Sequence, residues 1–198
     1  MKFWELALAA TTLSLSFSAN AALVGRLAAT EGGTDYQAYY DTEADITWLA
    51  DANAGGAMSW SEANTWVDSL IVDGKGSWRL PISDTCQGYN CLSSELGSLF
   101  YNALGNTAGS LSNSGPFINI QSDYYWTSTR ITVFENSTDY VYAFRMQDGI
   151  QSDGWTPWGY STLAVQSGDV SAVPVPAAVW LFGSGLIGLV GFARRKKA

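Results

Sequence analysis

The side chains able to do chemistry in this chain of 198 residues are carboxylates, aromatic rings and one pair of cysteines, because histidine is absent throughout. Without histidine the chain cannot build a Ser-His-Asp or Cys-His catalytic group, and it lacks the commonest proton carrier near neutral pH. Acid and base catalysis would fall to carboxylates, as it does in glycoside hydrolases. The sequence contains many carboxylates but singles out no pair whose environments would separate their pKa values.

A second group of functional side chains lies in one segment, Asp153-Gly-Trp-Thr-Pro-Trp-Gly-Tyr160. Its glycine and proline content predicts a loop, on which Trp155, Trp158 and Tyr160 would not all find burial. Exposed rings on a loop suit stacking on sugars or contact with a protein, and the Asp153 carboxylate can accept hydrogen bonds from hydroxyl groups. The alternative interpretation is that these rings fold back over a sheet.

Arg79 stands in the segment Trp78-Arg-Leu-Pro81, where the proline disfavours helix at the preceding residue and predicts an extended chain. The favoured interpretation is structural: the planar guanidinium donates to backbone carbonyls or to a buried carboxylate and ties the helical region to the sheet. The alternative is that Arg79 faces a ligand. For Trp126, in a strand-like segment, the favoured interpretation is the core, with ligand contact as the alternative.

The two cysteines, Cys86 and Cys91, are separated by four residues. The N-terminus indicates that the chain is exported, and in an exported chain a local disulfide is the default expectation. A zinc site is disfavoured because the chain has no histidine and no second cysteine pair. Redox chemistry of the thioredoxin type is disfavoured because the spacing is not Cys-x-x-Cys.

The segment Asp41-Thr-Glu-Ala-Asp45 superficially resembles the start of a calcium-binding loop. It fails as an EF-hand because Ile46 replaces the glycine at the sixth position and Ala52 replaces the glutamate at the twelfth. We therefore predict no metal and no other cofactor, with irregular calcium coordination as the alternative. The carboxylates for such a site would be Asp41, Glu43, Asp45 and Asp51.

The net charge of the exported domain limits the classes of molecule that it can bind. Residues 22–172 carry five arginine or lysine residues and 17 aspartate or glutamate residues, a net charge of −12, whereas the whole chain carries −8. Such a surface repels DNA, RNA and anionic lipid, so we exclude nucleic acid as a partner. Keeping the protein soluble is the simplest role for this acidity.

Two helices are expected to position these residues. Ser59-Trp-Ser-Glu62 forms a capping box, and the apolar residues behind it recur at helical spacing up to Leu70, with Asp73-Gly74 as the stop. A second helix is predicted from Ser93 or Ser94 to Gly105. It would bury Leu96, Leu99, Phe100 and Ala103.

Strands are predicted over residues 36–41, 46–51, 117–121, 124–131, 140–146 and 163–166, which are rich in aromatic and β-branched side chains. Two early helices followed by a strand-rich half indicate an α+β domain. The length of residues 22–172 suits one domain.

The N-terminus indicates export. Lys2 precedes an apolar stretch over residues 6–17 and then Ala19-Asn-Ala21, a small-x-small cleavage pattern. We predict a cleaved signal peptide over residues 1–21, so that the Sec translocon is a partner and residues 22–172 lie outside the inner membrane.

The C-terminal segment 173–198 joins three features. Val173-Pro-Val-Pro176 is followed by an apolar run over residues 177–193 and then by the cations Arg194, Arg195, Lys196 and Lys197. As a helix the run is roughly 26 Å long, just enough to span a bilayer core. The cations of residues 194–197 should stop transfer and hold the C-terminus in the cytoplasm. A single-pass transmembrane anchor is the simplest interpretation.

The same arrangement closely resembles the PEP-CTERM sorting signal of Gram-negative bacteria, with Val173, Pro174, Val175 and Pro176 as its Val-Pro-x-Pro variant. The resemblance implies recognition by an exosortase, a membrane enzyme that removes such tails. The protein would then be anchored in the inner membrane at least transiently before it reaches the cell surface or the extracellular matrix.

A second resemblance covers roughly residues 36–170. The ordered motifs are Asp41-Thr-Glu-Ala-Asp-Ile-Thr-Trp-Leu-Ala-Asp-Ala-Asn53, Met58-Ser-Trp60, Trp78-Arg-Leu-Pro81, Tyr125-Trp-Thr-Ser128 and Gly168-Asp-Val170. Together they resemble the Lcl C-terminal domain family. That family is similar to C-type-lectin-like folds, which implies two helices, a twisted antiparallel sheet and long loops, but it brings no established activity.

These observations lead us to predict a non-enzymatic exported protein whose domain binds glycan or protein at the cell surface or in the matrix. The expected contact residues are Asp153, Trp155, Trp158, Tyr160 and Arg79. Two alternatives remain: a carboxylate-based hydrolase of matrix polysaccharide, and a passive structural display module.

Overall fold

The computed structural model of the protein describes residues 22–131 and 139–171. The predicted signal peptide and the predicted sorting segment 173–198, including its apolar run, lie outside the described residues. Within the described ranges, none of the helices has both the length and the apolar character of a membrane span.

The elements follow one another in a simple order. They are β1 (Leu23–Ala28), β2 (Tyr36–Asp41), β3 (Ile46–Leu49), β4 (Ala57–Met58), α1 (Trp60–Ser69), α2 (Glu95–Ser98) with a π-helical extension (Leu99–Ala103), β5 (Tyr124–Arg130), β6 (Tyr140–Arg145), β7 (Ile150–Trp155), β8 (Tyr160–Ser161) and β9 (Val165–Ser167). The predicted α+β class with two helices is confirmed.

The strands form two sheets. The first has the order β1-β2-β3-β9, with antiparallel neighbours throughout. The second has the order β4-β8-β5-β6-β7 and is mixed, because β8 pairs with β5 in parallel. The expectation of one antiparallel sheet is therefore wrong. The last strand, β9, returns to β3 and completes a sheet that is separate from the β5–β7 meander.

Helix α1 begins where the sequence predicts. The Ser59 hydroxyl accepts the Glu62 amide, and the Glu62 carboxylate accepts the Ser59 amide at 2.9 Å, so the capping box is confirmed. The helix buries Ala63 and Val67 and ends at Ser69, and the C-cap residue Leu70 is extended. Asp73 and Gly74 do not stop the helix; they occupy a tight turn with φ of 48° and 72°.

Helix α2 is also capped as predicted, with the Ser94 hydroxyl accepting the Gly97 amide at 3.0 Å. The predicted apolar face is confirmed for Leu96, Leu99 and Phe100, which are buried, whereas Ala103 is only partly buried. Gly105 follows the π-helical extension with φ of 65°, a conformation that favours glycine. The extension itself was not expected.

The predicted strands agree only in part with the strands of the structure. The prediction for 36–41 agrees with β2, and those for 46–51, 124–131, 140–146 and 163–166 overlap β3, β5, β6 and β9. Residues 117–121 form no strand and contribute only one isolated bridge, from Ile118 to Asp51. Strands β1, β4, β7 and β8 were missed. Because β7 reads Ile-Gln-Ser-Asp-Gly-Trp, its extended form depends on pairing with β6 and not on its own composition.

The core contains the largest aromatic side chains. Trp48, Trp126, Tyr125, Phe100 and Phe144 are fully buried. The core position favoured for Trp126 is thus confirmed.

Candidate functional site

The aromatic groove is a surface depression of about 360 Å³ lined by Tyr140, Asp153, Trp155 and Trp158. Tyr140 on β6 is the direct antiparallel partner of Trp155 on β7, and Tyr142 is the partner of Asp153. Opposite residues in antiparallel strands share a face, and so do residues two apart. The register therefore brings Tyr140, Asp153 and Trp155 to one face of the sheet.

Trp158 reaches the groove through a tight turn. The Trp158 amide donates to the Trp155 carbonyl at 2.9 Å, and the Thr156 amide donates to the Asp139 carbonyl at 2.8 Å. The indole rings of Trp155 and Trp158 are perpendicular, at 89°, with their centroids 6.0 Å apart. Trp155 is 40% exposed and Trp158 is 53% exposed, so both rings are open to solvent.

The buried ring of Tyr160 supports Trp158, which in turn contacts Trp155. Trp158 contacts Tyr160 with centroids 6.0 Å apart, and Tyr160 packs on Trp126 at 4.4 Å and on Tyr124 at 5.1 Å. Burial, with the neighbouring charges of Tyr124, Asp123 and Asp153 adding to it, raises the pKa of Tyr160 to about 12. The exposed rings are therefore the outer end of an aromatic stack that continues into the core.

The carboxylate of Asp153 is the one acidic group that lines the aromatic groove. Asp153 is exposed, and its Oδ1 accepts the Ser152 hydroxyl at 3.1 Å. No lysine or arginine lines the groove in the described structure. The groove thus offers π faces and a negative charge to a ligand.

The structure separates the sequence-predicted contact residues. Asp153, Trp155 and Trp158 come together in the aromatic groove, whereas Tyr160 is only 9% exposed and lies beneath it. The predicted loop over 153–160 is wrong at both ends, because Asp153 and Trp155 belong to β7 and Tyr160 belongs to β8. Sequence reasoning did not assign Tyr140 to the site. Its place at the start of an alternating aromatic strand was the available signal.

Arg79 does not line the aromatic groove; it lies beside β9 of the first sheet. Its backbone pairs with Val165 of β9 in both directions, at 2.8 and 2.9 Å. Its guanidinium forms a bidentate pair with Glu95, with both N–O distances 2.7 Å, and also donates to the Leu80 carbonyl at 3.1 Å. Arg79 therefore ties α2 to β9, which is the structural role favoured for it.

Cys86 and Cys91 form the predicted disulfide. The loop that it closes lies against β7, where the Gly88 and Gln151 backbones pair at 2.8 and 2.9 Å. The side-chain amide of Gln151 donates to the Cys86 carbonyl at 2.6 Å and to the Asp84 carbonyl at 3.2 Å. Gln151 is fully buried by these contacts.

Three of the four carboxylates considered for calcium, those of Asp41, Asp45 and Asp51, accept hydrogen bonds within the chain. Asp41 Oδ1 accepts the amides of Glu43 and Ala44 at 3.0 and 3.1 Å. Asp45 Oδ1 accepts the Tyr40 hydroxyl at 2.8 Å. Over residues 22–131 and 139–171, no group of three or more acidic, cysteine or histidine side chains is placed to hold a metal ion.

Two other grooves adjoin α1. One, of about 510 Å³, is lined in part by Glu62, which the capping box engages. The other, of about 350 Å³, includes Asp139 and lies where the Arg130 guanidinium covers the Trp60 ring at 4.3 Å. Each of these grooves, like the aromatic groove, is lined by one carboxylate.

Comparison with known families identifies the C-terminal segment. The family described as the PEP-CTERM protein-sorting motif matches residues 172–197. This match supports an exported protein that is sorted by an exosortase and crosses the membrane towards the cell surface. A search of curated proteins and a search of solved structures found no match to the chain.

Proposed function

We propose that residues 22–172 form a non-catalytic binding domain that attaches an exosortase-sorted protein to glycan at the cell surface or in the extracellular matrix. The aromatic groove is the binding site. The observation that carries the proposal is the pair of solvent-exposed indole rings of Trp155 and Trp158, held at 89° beside the Asp153 carboxylate.

Two exposed tryptophans on a rigid support are costly for a soluble protein unless they contact a partner. Sugar rings have apolar C–H faces that stack on indole rings, and their hydroxyl groups donate well to a carboxylate. The support beneath the rings reduces the conformational entropy lost on binding, since Trp158 already packs on Tyr160. The groove volume also falls in the usual range for small-ligand sites.

The setting favours the same function. The sorting motif directs the protein out of the cytoplasm and towards the cell surface, where a glycan of the surface or matrix is accessible to it. The resemblance of residues 36–170 to the Lcl C-terminal domain family, with its C-type-lectin-like fold, agrees with a binding role. Within this proposal the protein passes through the inner membrane of a Gram-negative bacterium before it is released to the surface.

Binding is favoured over hydrolysis. Carboxylate-based glycosidases use two carboxyl groups on either side of the scissile bond. Each of the three described grooves is lined by a single carboxylate. A protein ligand in the aromatic groove is an outcome that the experiment below distinguishes.

A glycan array with the full chain in neutral detergent tests the proposal. We expect binding to at least one matrix polysaccharide and a loss of about tenfold or more on Trp158→Ala, because one stacking wall is removed. Tyr89→Ala is the matched control, since Tyr89 is an exposed aromatic outside the groove. Equal binding by both variants, or binding to a surface protein alone, would contradict the proposed site.

A further inference from the structure

We infer that the aromatic groove selects a cationic saccharide, in which a sugar carries a free protonated amine, over neutral and acidic saccharides. This inference rests on the proposed glycan-binding function and adds the chemical class of the ligand. Three features of the described residues support it: the angle between the rings, the charge of the lining, and the charge of the surrounding domain.

The first feature is the corner between the two indole rings. A flat sugar face stacks on one ring at a time, whereas the rings of Trp155 and Trp158 meet at 89° with centroids 6.0 Å apart. A compact rounded group fits such a corner and touches both walls. An ammonium group is compact, and it is attracted to the electron-rich faces of aromatic rings, of which indole is the strongest binder.

The second feature is the charge of the lining. Asp153 is the one carboxylate among the four residues that line the groove, and no cation in the described structure accompanies it there. Its Oδ1 accepts one hydroxyl, from Ser152, and Asp153 itself is exposed. A carboxylate beside aromatic walls is a combination of groups that recognises an organic cation, because the carboxylate accepts a charge-assisted hydrogen bond from the ammonium group and the rings make cation–π contact with it.

The third feature is the field of the domain. Residues 22–172 have a net charge of −12. One of these charges, Asp153, lines the groove itself. Burial, with smaller contributions from Tyr124, Asp123 and Asp153, raises the pKa of Tyr160, which packs against Trp158. A field of this sign attracts amino sugars with free amines and repels uronate and sulfated polymers.

The test compares four ligands by calorimetry with the full chain in neutral detergent: tetramers of glucosamine, of N-acetylglucosamine and of glucose, and tetramethylammonium chloride. We expect the glucosamine tetramer to bind about tenfold or more tightly than its acetylated counterpart at low salt. The preference should shrink as salt is added, because charge attraction is screened.

Two variants locate the effect. Asp153→Asn should abolish the preference for glucosamine, whereas Asp68→Asn removes an equal charge from the exposed face of α1 and should retain it. Near-ultraviolet circular dichroism checks that both variants fold.

The outcomes separate the two proposals. Equal binding of the glucosamine and acetylated tetramers would overturn the cation selectivity and leave glycan binding intact. Binding of tetramethylammonium without any tetramer would overturn both the amino-sugar ligand and the glycan function. Loss of the preference in Asp68→Asn to the same extent as in Asp153→Asn would show that the general field, and not the groove, selects the ligand.

Discussion

Gly154 lies directly against the Trp126 ring. A Cβ atom built on Gly154 would stand 2.7 Å from Cζ3 of Trp126 and 2.9 Å from Cε2 of Tyr160. Glycine is therefore required at this position of β7, where a bare backbone lets two buried rings approach. The same two rings support Trp158, so the shape of the aromatic groove depends on a residue that does not line it.

Gly154→Ala should destabilise the domain by about 1–3 kcal/mol, because the added methyl group overpacks a filled site. It should also weaken ligand binding by displacing Tyr160. Chemical denaturation and calorimetry measure the two effects.

Gly159→Ala is the matched control, since its Cβ would meet no atom nearer than 3.9 Å. We expect stability to be unchanged or raised by a few tenths of a kcal/mol, from reduced freedom of the unfolded chain. Similar behaviour of the two variants would contradict the packing role assigned to Gly154.

Arg79 and Glu95 lead to a second prediction. Arg79→Lys keeps the charge but loses the two parallel hydrogen bonds, so we expect a loss of about 1–3 kcal/mol in the free energy of unfolding. Glu95→Gln combined with Arg79→Lys completes a double-mutant cycle. A coupling energy near zero would show that the pair does not hold α2 to β9. Reduced ligand binding by Arg79→Lys with unchanged stability would support the ligand role instead.

Local signals in the sequence predicted the helices well. The capping box at Ser59 and Glu62 and the apolar face of α2 each involve residues within one or two helical turns. Both features could therefore be predicted from the local sequence. Strand β7 could not be predicted from the local sequence, because its polar residues form a strand only by pairing with Tyr140–Arg145. The parallel pairing of β5 with β8 is set by contacts 36 residues apart, between Tyr125 and Ser161.

The site was also predicted only in part, because local sequence identified some of its residues and others are positioned by long-range contacts. Asp153, Trp155 and Trp158 stood out because a segment rich in glycine and proline cannot bury several large rings. The burial of Tyr160 was missed because its neighbours, Tyr124 and Trp126, come from another strand. Glu95, the partner of Arg79, is 16 residues away along the chain, and no local pattern joins the two.

The stability of the domain should depend on pH mainly below about pH 4. Hydrogen bonds and charge from Arg26 lower the pKa of Asp169, and those from Arg145 lower the pKa of Asp148. A depressed native pKa means that the unfolded state binds more protons in the acid range. This stabilisation is therefore complete above the unfolded pKa, roughly 4, and is lost as the pH falls through the native values.

Urea denaturation from pH 2 to pH 8 checks this expectation. Between about pH 6 and pH 8 the curve should be nearly flat, because the chain contains no histidine. Arg26→Met should reduce the acid-dependent loss, since the Asp169 carboxyl then titrates closer to its unfolded value. A steep change in the free energy of unfolding near neutral pH, or an unchanged loss of stability at acid pH in Arg26→Met, would contradict the role given to these ion pairs.

The disulfide between Cys86 and Cys91 gives the last prediction. The bond closes a short loop, which in the chain-entropy model contributes about 2 kcal/mol. The loop is also held without the bond, by the Gly88 and Gln151 backbones and by the Gln151 side chain on the Cys86 carbonyl. Cys86→Ala with Cys91→Ala should therefore lower the melting temperature by about 5–10 °C and leave the fold intact.

Gln151→Leu distinguishes the two restraints. This change removes the side-chain donor to the Cys86 carbonyl and one of the two donors to the Asp84 carbonyl, so we expect it to destabilise the domain by about 1–3 kcal/mol even with the disulfide formed. Combined with the cysteine changes it should cost more than the sum of the separate losses, because each restraint holds the loop when the other is absent. Simple additivity would show that the bond and Gln151 act independently, and complete unfolding on reduction of the native protein would show that the bond alone holds the loop.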